Sequence, residues 1–157
     1  MSLVFVDAQS ASLFTSVLLI SHDTECLTDC VQNLSRCSPY YNLLKASTGD
    51  DALEVVRSKR LDCIVLDLDL PNVGLTLLTG IISVRHQLPS AVIVLTDTPS
   101  NGVRRMALGM GANTCLGKAS FGLYSLDRIV QDAVLCDKKA LKHRTTPPHS
   151  AAKPWLN

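Results

Sequence analysis

The sequence predicts an α/β domain, a five-stranded parallel sheet with helices on both faces. Three observations predict it. Four short apolar runs are continuous rather than alternating, as strands covered on both faces are. Between those runs the apolar period changes to 3.6, the repeat of a helix lying on a sheet. The two patterns then alternate along the chain, which is the order of βα units. A chain of 157 residues, 46% hydrophobic and 18% charged, has material for one such core and too little for two.

The first strand is Val17-Leu18-Leu19-Ile20, and the helix after it is marked by Leu27, Cys30, Val31, Leu34 and Cys37. Tyr41 to Ala46 is more polar and reads as an edge strand. Thr48-Gly49-Asp50-Asp51 has the form of a variant capping box and starts the helix through Ala52-Leu53-Glu54-Val55-Val56. Cys63-Ile64-Val65-Leu66 is the third strand, followed by a helix carrying Leu75, Leu77, Leu78, Ile81 and Ile82. The fourth strand, Ala91 to Leu95, precedes a helix with Val103, Met106, Ala107 and Met110. The fifth, Asn113-Thr114-Cys115-Leu116, precedes one with Leu126, Ile129, Val130, Ala133 and Val134.

The domain is expected over residues 16–137. Residues 1–15, with Leu3-Val4-Phe5-Val6, read as an N-terminal arm or an added edge strand. Residues 138–157 open basic, with Lys138, Lys139, Lys142 and Arg144, then become rich in Thr, Pro and Ala. That composition reads as a tail or linker, in which Trp155 is a partner anchor or a loosely packed residue. A net charge of +1 argues against direct nucleic-acid binding, which needs an excess of Lys and Arg. No apolar run reaches the ~18 residues of a membrane span. The N-terminus lacks the basic start of a signal peptide, so a cytoplasmic location is expected, with the six cysteines as thiols. Cys26 and Cys30 lie one helical turn apart; without a His or a second Cys pair nearby, buried small hydrophobes are expected rather than a metal pair.

Polar groups at the carboxyl ends of parallel strands converge on one crevice. Here Ser21-His22-Asp23 follow the first strand, Asp67-Leu68-Asp69 end the third, Thr96 ends the fourth, and the fifth runs into Lys118. A carboxylate, a hydroxyl and an ammonium at one edge suit phosphoryl transfer, which needs an in-line nucleophile and cations to hold charge on the equatorial oxygens. Taken singly, such an acid is more often a helix cap or a solvated turn residue, and Asp23 reads first as the cap of the helix after it.

Over residues 16–135 the sequence resembles the receiver domain of two-component response regulators. The resemblance is carried by Cys63 to Asn72, by Ala91 to Thr96 and by Gly111 to Lys118. It implies a flavodoxin-like (βα)5 fold with strand order 2-1-3-4-5, in three α/β/α layers. It implies Asp67 as the phosphoacceptor, with Thr96 and Lys118 binding the phosphoryl oxygens. It implies a Mg²⁺ ion held by Asp67, the main-chain carbonyl of Asp69 and Asp23. The implied partners are a sensor histidine kinase or phosphotransfer protein, a downstream protein target, and a second copy packed through the fourth helix, fifth strand and fifth helix. Arg104 and Arg105 there read as a solvated face, or alternatively as cross-dimer ion pairs. No enzymatic turnover is implied beyond self-phosphorylation from small phosphodonors and self-dephosphorylation. The flavour is that of receivers followed by a helix-turn-helix output domain, and none is read in residues 138–157.

The chain also departs from that family. Ser21 and His22 stand where an acidic pair belongs, leaving only Asp23. Two unit charges ~4 Å apart interact by roughly 4 kcal/mol at an effective dielectric near 20, so losing two carboxylates weakens Mg²⁺ attraction. Cys115 stands at the usual aromatic switch position, and Ala119 replaces the proline that usually follows the lysine in a cis bond. A cis bond before alanine costs ~3–4 kcal/mol, so a trans bond is expected. The loop from Asp67 to Gly74 is one residue short. His22 reads as a solvated loop residue, or alternatively as a phosphate contact. These departures raise a second reading, a pseudo-receiver that binds proteins without phosphorylation. A third, a haloacid-dehalogenase-type phosphatase, rests on Asp67-Leu68-Asp69, Thr96 and Lys118, but the later acids Asp127, Asp132 and Asp137 are spaced along a helix.

Overall fold

A computed structural model describes residues 13–70, 73–85, 90–119 and 125–145. Leu3-Val4-Phe5-Val6, Pro71, Asn72 and Trp155 lie outside the described residues. The elements in chain order are β1 (Thr15–Ile20), α1 (Thr24–Cys37), β2 (Tyr41–Ala46), α2 (Gly49–Ser58) and β3 (Cys63–Asp67). They continue with α3 (Gly74–Arg85), β4 (Ala91–Thr96), α4 (Asn101–Gly109), β5 (Thr114–Gly117) and α5 (Leu126–Thr145). The strands form one parallel sheet in the order β2-β1-β3-β4-β5, which is the expected order.

The continuous apolar runs are the central strands because each must cover two cores. Leu18, Ile20, Ile64, Leu66, Val92 and Val94 face one side, against Ala52, Val56, Leu77, Leu78, Ile81 and Ala107 of α2, α3 and α4. Val17, Leu19, Cys63, Val65, Ile93 and Leu95 face the other, against Cys26, Cys30 and Leu34 of α1 and Leu126, Val130, Ala133 and Val134 of α5. Fully burying a Leu, Ile or Val side chain contributes about 1.5–3 kcal/mol. A one-residue slip in β3 would exchange its two sets of side chains, so the registers Ile20↔Leu66 and Asp67↔Leu95 are strongly specified.

Side-chain caps start three of the helices, those at Asp23 and Thr48 as read. Asp23 accepts from the Glu25 and Cys26 N–H groups, Thr48 from Asp51 N–H, and Ser100 from Val103 N–H. Asn33 of α1 caps α5, its Oδ1 accepting the Leu126 N–H at 2.9 Å. At the edge strand, the Tyr41 hydroxyl donates to the Asp127 carboxylate and accepts from Gln131 at 2.9 Å. This ties β2 to α5, while the polar Asn42 and Lys45 are exposed.

Several expected faces are corrected. Leu75 is 47% exposed. It lies about 110° around α3 from the centre of the Leu77–Leu78–Ile81 stripe, at 100° per residue. Met106 is 37% exposed, on the flank of α4. Cys37 is exposed because it ends α1, beyond the covered part of the sheet. Two boundaries also differ. Thr15, placed in the arm, begins β1. Residues 138–145, placed in the tail, continue α5, where Lys and Ala favour helix.

Candidate functional site

The carboxyl ends of β1, β3, β4 and β5 bring the polar residues to one level, since the register sets Ile20 beside Leu66, Asp67 beside Leu95 and Thr96 beside Gly117. Asp67 is wholly buried at the end of β3. An unpaired charge there would cost several kcal/mol, and both of its oxygens are engaged. Oδ1 lies 2.9 Å from Lys118 Nζ and accepts the Asp69 N–H at 2.9 Å. Oδ2 accepts the Ser21 hydroxyl at 2.6 Å. Ser21, itself buried, accepts the Asp23 N–H at 3.0 Å, which holds the turn after β1 against β3.

A second carboxylate shares the pocket. Asp69 Oδ1 accepts the Thr96 hydroxyl at 3.0 Å, and Oδ2 accepts the Asp97 N–H at 2.6 Å. Lys118 Nζ stands 3.3 Å from the same Oδ2, and 3.6 Å from the exposed Asp97 carboxylate. Partial burial works against charge on Asp69, but the Asp97 N–H, the Thr96 hydroxyl and Lys118 outweigh it and hold its carboxyl below the usual range. Lys118 is 13% exposed. Burial opposes its charge, but Asp67 first and Asp69 second raise it above an ordinary lysine, so it stays an ammonium.

The expected acid, alcohol and amine therefore meet. Lys118 touches Asp67 directly, and Thr96 joins them through Asp69. The other expected positions fall around them. Asp23 Oδ1 is occupied at the N-terminus of α1, 2.9 Å from Glu25 N and 3.4 Å from Cys26 N. His22 is exposed. Cys115 is buried in the core on the α4 side, and burial pushes its thiol up. The Lys118–Ala119 bond is trans. Cys26 and Cys30 face the core one helical turn apart, and each bears on the other's thiol, which lowers the first and raises the second. Of the acids a phosphatase would need after Lys118, Asp127 is taken by Tyr41 on the far side of the sheet's edge.

Two participants were not read from the sequence, the Asp69 carboxylate and the Asp97 N–H. The resemblance assigned Asp69 only its main-chain carbonyl. A tight turn aims its side chain inward: Leu70 N–H bonds Asp67 O at 3.4 Å, and the chain closes on Gly74. A Cβ on Gly74 would lie 2.0 Å from Leu68 O, so only glycine fits. Among the described residues no group of three or more His, Cys, Asp or Glu is placed to hold a metal ion. Of the residues expected to hold one, Asp67 has both oxygens engaged and Asp23 caps α1, so with the Asp69 carbonyl the three do not form a ligand set as they stand.

A family model for the response regulator receiver domain matches residues 17–131. Response regulator MprA of Mycolicibacterium vanbaalenii is 32% identical over 114 residues, covering 72% of this chain and 45% of that protein. The chain spans less than half the length of the curated relatives it matches. A CheY-like receiver domain protein from Methanospirillum hungatei superposes with a TM-score of 0.66 at 20% identity, covering 81% of this chain and 98% of that one. A response regulator from Burkholderia pseudomallei, solved with a phosphorylated aspartic acid, a calcium ion and citrate, gives a TM-score of 0.62 at 21% identity, covering 83% and 73%. At these identities the two structures show a shared fold, while the family model matches nearly the whole βα array. The chain thus belongs to the family of response regulator receiver domains, the signalling modules of two-component systems.

Proposed function

We propose that Asp67 accepts a phosphoryl group from a sensor histidine kinase or a phosphotransfer protein, and that the chain signals onward by protein contact. The single observation behind this is Lys118 Nζ held 2.9 Å from a buried strand-end carboxylate. In the transfer, an Asp67 oxygen attacks phosphorus and a P–O bond forms. The P–N bond of the phosphohistidine breaks, and the imidazole nitrogen keeps the electron pair and takes a proton from solvent. Lys118 offsets the charge that the acyl phosphate adds, and Thr96 offers its hydroxyl to a phosphoryl oxygen. A Mg²⁺ ion at Asp67, the Asp69 carbonyl and Asp23 would neutralise phosphoryl charge. With Ser21 and His22 in place of acids, its binding is weak.

Receiver domains signal rather than turn over substrate; for this chain we assign only self-phosphorylation from small donors and self-dephosphorylation. The downstream face is α4, β5 and α5, where Arg104, Arg105, Met106 and Leu108 of α4 and Leu135 of α5 are exposed. A second copy or a target protein would bind there. No described helix is long and apolar enough to cross a membrane, and we place the chain in the cytoplasm with its kinase.

A specific observation favours a second reading, that of a pseudo-receiver. Asp67 is wholly buried with both oxygens already partnered, so a phosphodonor reaches it only if the pocket opens. The two readings separate on incubation with acetyl phosphate and Mg²⁺ followed by intact mass. Acceptance predicts one added phosphoryl group in the wild type and none in Asp67→Asn. A folded wild type that stays unmodified, with acetyl phosphate and with a phosphorylated histidine donor alike, overturns it in favour of the pseudo-receiver.

A further inference from the structure

The donors that the receiver reading assigns to an incoming phosphoryl group are not free. The Thr96 hydroxyl donates to the Asp69 carboxylate, as does the Asp97 N–H beside it, and Lys118 Nζ lies 3.3 Å from the same group while pairing with Asp67. We infer that Asp69 is a resident anion, tethered two residues from Asp67, that fills this anion site and holds the loop before α4 in its anion-bound arrangement without phosphorylation. The occupied site is a geometric observation; only the further step, that a phosphoryl group must displace Asp69, rests on Asp67 being an acceptor.

The contacts beyond the pocket show what the occupant holds. Thr96 Oγ1, while donating to Asp69, accepts the Thr98 N–H at 3.2 Å. Thr98 O accepts the Ser100 N–H at 2.8 Å, and Ser100 Oγ accepts the Val103 N–H at 3.2 Å. Asp97 N–H is fixed to Asp69 directly. One unbroken series of hydrogen bonds thus runs from the Asp69 carboxylate to the first turn of α4. The occupant is matched in charge as well as in shape. It accepts from two neutral donors and faces an ammonium 3.3 Å away. Hydrogen bonds with a charged partner are roughly twice as strong as neutral ones.

The test uses the whole chain and acetate as the probe, because acetate restores the deleted carboxylate with its single charge. In amide nitrogen–proton NMR spectra, Asp69→Ala is expected to shift Asp97, Thr98 and the first turn of α4. Sodium acetate should return those signals saturably toward the wild type, while sodium chloride at equal ionic strength should not. The wild type, its site filled, should be unmoved by either salt. Acetate shifting the wild-type Asp97 amide would overturn the inference, and so would an Asp69→Ala spectrum unchanged at Asp97 and Thr98. The wild-type titration stands even if the variant fails to fold. The outcome is separable from phosphoacceptance: acetate rescue without any phosphoryl uptake at Asp67 would sink the acceptor reading and leave Asp69 as the resident anion.

Discussion

Replacing Lys118 by Met removes the pocket's cation and keeps most of its stem. At an effective dielectric near 20, unit charges at the 2.9 Å separation of Lys118 and Asp67 attract by roughly 6 kcal/mol. Most of that is offset by the desolvation of both groups in the folded protein. The net effect is set by what is left behind, and removing one partner of a buried pair costs about 3–5 kcal/mol. Asp67 would retain the Ser21 hydroxyl and the Asp69 N–H, and Asp69 would retain Thr96 and Asp97. The loss therefore belongs at the lower end, about 3 kcal/mol. The reciprocal change, Asp67→Asn, leaves Lys118 with Asp69 and Asp97 and should cost less, about 1–2 kcal/mol. The double variant should then be more stable than the sum of the singles predicts by at least about 1 kcal/mol. Urea denaturation followed by helical circular dichroism measures all three, with an unchanged slope showing that the unfolded state is unaffected. A Lys118→Met loss under about 1 kcal/mol, or additivity within about 0.3 kcal/mol, would refute the electrostatic account of the pocket.

Three further outcomes follow from the same contacts. Gly74→Ala drives a Cβ to 2.0 Å from Leu68 O, and the backbone shift it forces should cost about 3 kcal/mol in urea denaturation while disturbing the Asp69 turn. Ser21→Asp exchanges a hydroxyl bonded to Asp67 for a like charge, so the metal-free protein should lose about 2 kcal/mol. Mg²⁺ at about 100 times its dissociation constant should return about 2.7 kcal/mol in thermal melts of that variant, while the wild type responds less. Burial, and then the Asp127 carboxylate, raise the Tyr41 hydroxyl above its ordinary value. The folded state thus holds that proton where the unfolded chain releases it. This stability is present below about pH 10 and is lost as the pH rises through the folded value. Tyr41→Phe should flatten that alkaline decline, as read by denaturation midpoints across the window.

The parts of the fold legible in the sequence were those that burial dictates on both sides. Cys63 to Leu66 and Ala91 to Leu95 had to be central strands because no other element hides every consecutive side chain. Leu75 misled because periodicity reports a stripe without its width, and Leu77, Leu78 and Ile81 already fill the space over the sheet. Asp67, Thr96 and Lys118 were legible because topology alone sends strand ends to one edge. Ser21 could be read only as a missing acid, since its service to Asp67 depends on the register of β1 against β3. Asp69 lies two residues past a strand end, where a carboxylate faces solvent as readily as the pocket. Its direction comes from the turn closed by Leu70 and Gly74. Asp97 contributes a main-chain N–H, which every residue but proline has, so side-chain identity carried no signal.

The charges in the pocket constrain how any signal could leave it. Asp67 and Asp69 share one ammonium, Lys118, with Asp97 exposed at the rim. A phosphoryl group on Asp67 would replace one negative charge with about two, and it would need the Thr96 hydroxyl that Asp69 holds. Two anions cannot both take the one hydroxyl proton. In the receiver reading, then, phosphorylation acts by expelling Asp69. Thr96 already has its hydroxyl turned into the pocket, so its inward rotation cannot be the event that is read out. Cys115, small and buried, offers no ring to move between core and surface. What remains to change is the series from Asp69 through Thr98 and Ser100 to the first turn of α4. A partner that distinguishes the two states should therefore contact the N-terminus of α4, and substitutions at Ser100 should disturb its binding more than substitutions on β5.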